Sequence, residues 1–361
     1  MAGVVPQSGG ESSQEFLAGL EQKLMGGIVG LGVAMGMQTG LFEVLIRLDG
    51  QPKTSQEIAD AANFKERYVR EWLGCMASAR IVKFDAKAER FWLPSHRHNI
   101  MDLKMLALVP PILSGGFHQV VECFKKDGPS GVASEFYPKF DELMGLTQGP
   151  YFRDNLVQDL IPSMPHVQQQ LNEGMEVLDV GCGVGLSTRT LAASFPRSSF
   201  VGVDLSESAL AEGRRAASEE GATNASFVLA DASRLPADWS GRFGLVFANL
   251  VLHDLSHPAE AIGEIHRVLR PGGTLSVLET NAYSSMADNL TRFGDQGRIN
   301  MEYTYSLYNC MPTSLSQAGG AGLGAFWGRE AASRMLEKAG FKVCAVTEAN
   351  TDLLHIVCSK P

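Results

Sequence analysis

No C-x-x-C pair occurs among the six cysteines, Cys75, Cys123, Cys182, Cys310, Cys344 and Cys358, so neither a zinc motif nor a disulfide framework can be read from their spacing. No metal is expected on this reading. Thiols scattered through apolar runs fit a reducing compartment, and a cytoplasmic protein is expected. Positive charge is also scarce: 31 Lys and Arg face 40 Asp and Glu, a net charge of −9. A surface of that sign attracts neither a phosphate backbone nor anionic lipid, which disfavours nucleic acid and membrane as partners. The N-terminus lacks a charged segment followed by an apolar one, as a secretory signal would have. The sequons at Asn224 and Asn289 are then read as chance. No internal repeat is found.

Charge is missing altogether from Leu24 to Phe42, nineteen residues, a length that could just span a bilayer. Gln38 and Thr39 interrupt the run, glycines at 26, 30, 32, 36 and 40 dilute it, and Glu43 and Arg47 continue its helical pattern. A buried, closely packed helix is expected instead.

The 361 residues are enough for two domains, each with its own core. Residues 1–13 are Gly/Ser/Gln-rich and read as a disordered tail. A helical region follows to Leu48, closed by the turn signal Asp49-Gly50. Thr54, with Glu57 three residues on, forms a capping box for a helix over Ser55 to Ala62. A third helix runs from about Lys65 to Ala79, and the segments 81–84 and 90–93 make a hairpin. This order predicts a winged helix over 14–97, followed by a helical linker or cap over 98–171. From 172 to 361, strands near 176–180, 199–203, 225–229, 243–249, 274–279, 341–346 and 353–358 alternate with helices. That alternation predicts an α/β fold with a Rossmann-like doubly wound sheet.

The chemistry is concentrated where the strands end. The strand Glu176 to Val180 runs into Gly181-Cys182-Gly183-Val184-Gly185 and then a helix near Ser187, a turn that lets a ligand reach backbone amides at a helix N-terminus. A nicotinamide fingerprint would want glycine at 186, where this chain has leucine. Asp204 closes the next strand, placed to accept ribose hydroxyls, and Asp231 closes the third, placed for an adenine amino group. Open sheets bind ligands across these carboxyl ends, so the three signals converge on one crevice.

With VLDVGCGVG at 177–185, VGVD at 201–204, LADA at 229–232 and HRVLRPGGTLSVLE at 266–279, the chain resembles the class I S-adenosylmethionine (AdoMet)-dependent methyltransferases. The resemblance implies AdoMet as cofactor, with Asp179, Gly181, Cys182, Gly183 and Gly185 around the methionine moiety. It further implies Asp204 and Leu205 at the ribose, Asp231 and Ala232 at the adenine, and Asn249 beside them. With a winged helix ahead of this fold, the chain is similar to plant- and hydroxyindole-type small-molecule O-methyltransferases, and, with ERYVREWL at 66–73 and YSLYNCMPTSLSQ at 305–317, more fully to winged-helix-capped methyltransferases typified in mycobacteria and actinomycetes. In the O-methyltransferases the winged region is a dimerisation domain, which implies a homodimer and a small-molecule acceptor. Those enzymes carry His-Asp-Trp after strand four. Here His253-Asp254 matches, Leu255 replaces the tryptophan, and Glu279 falls where a flanking acid would. His253 is therefore expected as general base, oriented by Glu279 or Asp254. The set Tyr303, Tyr305 and Tyr308, and the pairs Phe117-His118 and Tyr151-Phe152, are candidate pocket aromatics.

Two other functions fit the same motifs. A winged helix can read DNA, but residues 54–93 carry seven basic against six acidic side chains, where a DNA reader presents a basic face. A catalytically silent AdoMet-binding protein is the other, and the intact glycine loop, Asp204, Asp231 and His253 argue against such decay.

Overall fold

The computed structural model describes residues 11–293 and 297–361 and divides into two compact units, residues 1–112 and 113–361. Most of the expected N-terminal tail, residues 1–10, lies outside the described residues.

In the first unit, helix α1 (Ser13–Thr39) starts at a capping box made by Ser12 and Glu15. It does not continue to Leu48: Gly40, at φ +75°, closes it, and α2 (Leu41–Arg47) begins afresh. The expectation of a buried helix holds only for its last turns. Gly32 and Gly36 let α1 approach α4 (Glu66–Ser78), where the Trp72 indole donates to the Gly32 carbonyl at 2.9 Å. A Cβ on Gly36 would stand 2.5 Å from both Trp72 and Phe42. Toward the N-terminus the helix has no such partner among the described residues, and Leu17, Leu24 and Ile28 are about 60% exposed. Both α1 and the stretch Ser95–Cys123 are long and apolar enough to cross a membrane.

Helix α3 (Ser55–Ala62) has the expected Thr54–Glu57 capping box and ends at Asn63 in the left-handed conformation. Strands β1 (Lys83–Asp85) and β2 (Arg90–Trp92) form the wing, with Phe84 stacked on Phe91 at 4.6 Å. Lys53 pairs with Phe91 on the other side.

The second unit holds a seven-stranded sheet in the order β5-β4-β3-β6-β7-β9-β8. The strands are β3 (Glu176–Val180), β4 (Ser199–Asp204), β5 (Ala225–Leu229), β6 (Phe243–Asn249), β7 (Leu269–Thr280), β8 (Lys342–Glu348) and β9 (Leu353–Ser359). Strands β3 to β7 pair in parallel, and β9 inserts antiparallel between β7 and β8. Helices cover both faces, so β6, at the centre, is buried along its whole length. Strand order reverses between β3 and β6, and the crevice at their carboxyl ends is where such sheets bind ligands.

Candidate functional site

The loop after β3 folds back because Gly181, Gly183 and Gly185 all take positive φ, +66°, +53° and +68°. The last of them opens the helix Leu186–Ser194. Asp179 sits under this loop, buried, accepting hydrogen bonds from the hydroxyls of Ser187 at 2.5 Å and Thr188 at 2.7 Å. Burial nevertheless dominates and lifts its carboxyl to about 6, against the two hydroxyl bonds. Asp204 braces the loop from β4: one oxygen accepts the Gly183 N–H at 2.8 Å, the other the Ser206 N–H at 2.9 Å.

A cavity of about 200 Å³ opens over the loop. Asp179, Gly181, Cys182, Gly183, Asp204, Asn249 and Asp254 line it, which brings together most of the residues expected from sequence. Gly185, Leu205, Asp231 and Ala232 are not on its wall. Gly185 packs instead against Phe227, Leu205 is 61% exposed, and Ala232 belongs to the core beside the sheet. The Asp231 carboxylate accepts from the N–H and hydroxyl of Ser233 and so caps its own turn. A roomier hollow of about 450 Å³ between Arg214 and Phe227 lies at the amino end of β5, the wrong end of a parallel sheet for a ligand site.

Of the far wall, only the pair Tyr151-Phe152 is expected from the sequence. That wall is the helix Phe140–Asp154, whose Met144, Gln148 and Phe152 face the cavity. Gly145 and Gly149 also line it, and a Cβ on Gly149 would lie 3.5 Å from Leu186. The small-x-x-x-small spacing of these glycines was the available signal. Of the aromatic candidates, Phe152 lines the cavity, Tyr303 stacks on Phe326 at 4.1 Å, and Tyr308 lies 6.2 Å from Phe117.

At the end of β6, Leu250 adopts φ +53°, an unusual conformation for a branched residue, and the chain turns through Val251 to His253. His253 is buried, its Nδ1 2.5 Å from Glu279 Oε2 and its Nε2 3.3 Å from Asp254 Oδ1. Glu279, near the end of β7, is 1% exposed. His253 therefore stands behind Asp254, and it is Asp254 that reaches the cavity wall. Burial opposes charge on the imidazole, but the Asp254 and Glu279 carboxylates outweigh it and hold His253 well above its usual range. Cys310, from the wide turn Ser306–Cys310, completes this cluster, its thiol pushed up to about 12 by burial and by Asp254. Nothing in the spacing of residues 253 and 310 announces that contact.

Comparison with known proteins agrees with this architecture. Residues 171–345 match the family model described as a methyltransferase domain, and residues 27–102 that of an Rv2258c-like winged HTH domain. Among curated relatives, the chain is 38% identical to a trans-aconitate 2-methyltransferase of Methylobacterium nodulans, over 32% of this chain and 39% of the relative. The chain spans about two fifths to one half of the length of the first relatives it matches. Among solved structures, it resembles an O-methyltransferase family protein from Burkholderia thailandensis with a TM-score of 0.68 at 14% identity, covering 97% of this chain and 99% of that one. Human N-acetylserotonin methyltransferase, solved with SAM, gives a TM-score of 0.57 at 15% identity, covering 98% and 99%. The chain thus joins an Rv2258c-like winged helix-turn-helix domain to a methyltransferase domain of the class I fold.

Proposed function

We propose that the protein transfers the methyl group of AdoMet to a small-molecule acceptor. The observation that carries this reading is the charge of the cavity: Asp179, Asp204 and Asp254 line it and no Lys or Arg does. Such a wall favours a cationic ligand and disfavours the phosphates of a dinucleotide. Two further features fit AdoMet. Both polar side-chain atoms of Asn249 are buried without a partner among the described residues, a cost that a bound ligand's hydrogen bonds would remove. A Cβ at Gly183 would meet nothing within 4 Å, so the backbone there is open to close approach. Asp179 would then hold the methionine ammonium and Asp204 the ribose, with Asn249 beside them. When bound, AdoMet supplies the electrophilic methyl.

What the chain adds is alignment and a place for the acceptor's proton. An acidic cavity suits a neutral acceptor over a polycarboxylate, and we favour a hydroxyl. Its proton would pass to His253 by way of Asp254, with Glu279 fixing the ring through Nδ1. Screening of metabolite fractions with methyl-labelled AdoMet tests the activity. Label transfer to a small molecule is expected, and AdoMet binding with no transfer to any fraction would point to the silent binding protein.

Asp204→Ala is expected to weaken AdoMet binding by on the order of 1.5–3 kcal/mol through lost charge-assisted hydrogen bonds, at least tenfold in affinity. Calorimetry on the folded mutant checks this, and unchanged affinity would remove Asp204 from the site. Asp179 offers a test with opposite signs for stability and binding. A carboxyl raised to about 6 penalises the fold once it ionises, by about 3 kcal/mol at neutral pH. That penalty is absent below about pH 4, where the group is neutral folded or unfolded, and complete above the folded value. Asp179→Asn should therefore resist denaturant better than wild type at pH 7, lose that advantage in acid, and bind AdoMet less well.

We further propose a homodimer through the first unit, in the cytoplasm. The exposed apolar residues of α1, Leu17, Leu24, Ile28 and Met35 among them, support the first part, and six free thiols the second. Light scattering should give twice the chain mass. A monomer, or partition of the protein into lipid vesicles, would count against the dimer, and salt-sensitive duplex DNA binding would favour the regulator.

A further inference from the structure

We propose that His253 Nε2, Asp254 Oδ1 and Cys310 Sγ form a binding site for a zinc-class divalent cation.

The geometry is that of ligands gathered around one point. The three atoms lie within 4.8 Å of one another, where the ligands of a tetrahedral zinc stand about 3.3–3.8 Å apart, given bonds of about 2.0–2.3 Å. About an ångström of closure is needed, within reach of small side-chain rotations. Asp254 Oδ1 is the informative atom. It is buried and lies 3.3 Å from His253 Nε2, yet receives no aligned hydrogen bond. Without an aligned donor, Oδ1 keeps lone pairs available to a cation held between it and Nε2.

The surroundings supply what a metal site needs beyond its ligands. Glu279 accepts from Nδ1 of the same imidazole at 2.5 Å, the carboxylate–histidine arrangement that fixes the tautomer and turns Nε2 toward a metal. Both His253 and Cys310 are 5% exposed, so the ligands are shielded from bulk water, while Asp254 forms part of the cavity wall. The cavity is thus the side from which the ion arrives and from which a fourth ligand, water or an acceptor atom, completes the coordination. Thiolate and imidazole select zinc over magnesium or calcium, which take oxygen ligands.

An ion on Nε2 would occupy the lone pair that a base needs, so loaded protein could not use His253 as a base. The inference uses the residues of the proposed acceptor end but does not depend on methyl transfer, since binding is read directly.

The test uses full-length protein carrying Cys75→Ser and Cys344→Ser, which removes the two exposed thiols, stripped with chelator and titrated with cobalt(II) as a coloured stand-in for zinc. One ion per chain, with intense tetrahedral visible bands and a thiolate-to-cobalt charge-transfer band, is expected. Cys310→Ser should lose the charge-transfer band, and Glu279→Gln should lower metal affinity by ~10–100-fold. Thermal melting of each variant shows that it is folded, and AdoMet calorimetry on the parent protein tests the cofactor reading separately. Uptake without a thiolate band, or uptake unchanged in both Cys310→Ser and Asp254→Asn, would overturn the site.

Discussion

His253→Ala and His253→Gln are expected to slow single-turnover methyl transfer by ~10²–10⁴-fold, with AdoMet affinity staying within a few fold of wild type. The two effects separate because the groups proposed to hold AdoMet come from β3, β4 and the end of β6, whereas His253 stands behind Asp254 against Glu279. A hydroxyl must lose its proton as the methyl arrives, and imidazole is the side chain suited to accept it near neutrality. In the resting protein this ring is held charged by two carboxylates, so the rate should climb with pH above neutrality as the base form is populated. Stability should run the other way. A histidine raised on folding contributes fully below its unfolded value, near 6.5, and the contribution fades as pH rises through the folded value. His253→Ala also strands the buried Glu279 carboxylate, a loss of about 3–5 kcal/mol when one partner of a buried pair is removed. The glutamine variant, which keeps a donor for Glu279, therefore separates a chemical defect from an unfolded protein. Turnover within a few fold of wild type in both would make the histidine structural. Loss of AdoMet binding together with rate would instead assign it to cofactor support.

The glycine loop offers a second large effect, and a contrast within a few residues. At Gly185, φ is +68° and an added Cβ would fall 2.1 Å from the Phe227 ring. Gly185→Ala is expected to cost about 1–2 kcal/mol for the left-handed backbone and a further ~1–3 kcal/mol for overpacking. For a domain of this size that lowers the melting temperature by on the order of 10 °C. At Gly183, φ is +53° but nothing lies within 4 Å. Gly183→Ala should cost only the backbone term and melt a few degrees below wild type, well above Gly185→Ala, yet its methyl would point into space the cofactor needs. Thermal melts and AdoMet calorimetry on the two variants should therefore give crossed results. Equal melting would show that Phe227 yields easily; unimpaired AdoMet binding by Gly183→Ala would show that the ligand does not approach the loop there.

Much of this was legible in the chain because it is local. The Thr54–Glu57 capping box, the alternation of strand and helix after residue 172, and the glycine turn after Val180 are all written in consecutive residues. Asp179, Asp204 and Asn249 could be placed because parallel strands in one sheet end side by side. What could not be read depends on packing between distant segments. Met144 and Gln148 reach the cavity from the helix Phe140–Asp154, which precedes the sheet in the chain. Cys310 meets His253 across 57 positions through a wide helical turn. Periodicity misled at α1, where an apolar run suggested burial but only the last turns find Trp72 and Phe42 to pack on.

The placement of β9 bears on how the protein reaches its native state. Residues 353–359 form an interior strand, hydrogen-bonded to β7 on one side and β8 on the other. Until that segment leaves the ribosome, β7 presents an unpaired edge and β8 has no neighbour, so the nascent sheet can be built only from β3 to β7. Such an open edge invites pairing with another chain, and closing it joins residues as far apart in sequence as Thr274 and Ser359, a slow kind of contact. Completion of this sheet thus waits for β9, and the interval before β9 is in place is when the β7 edge is most open to wrong pairing.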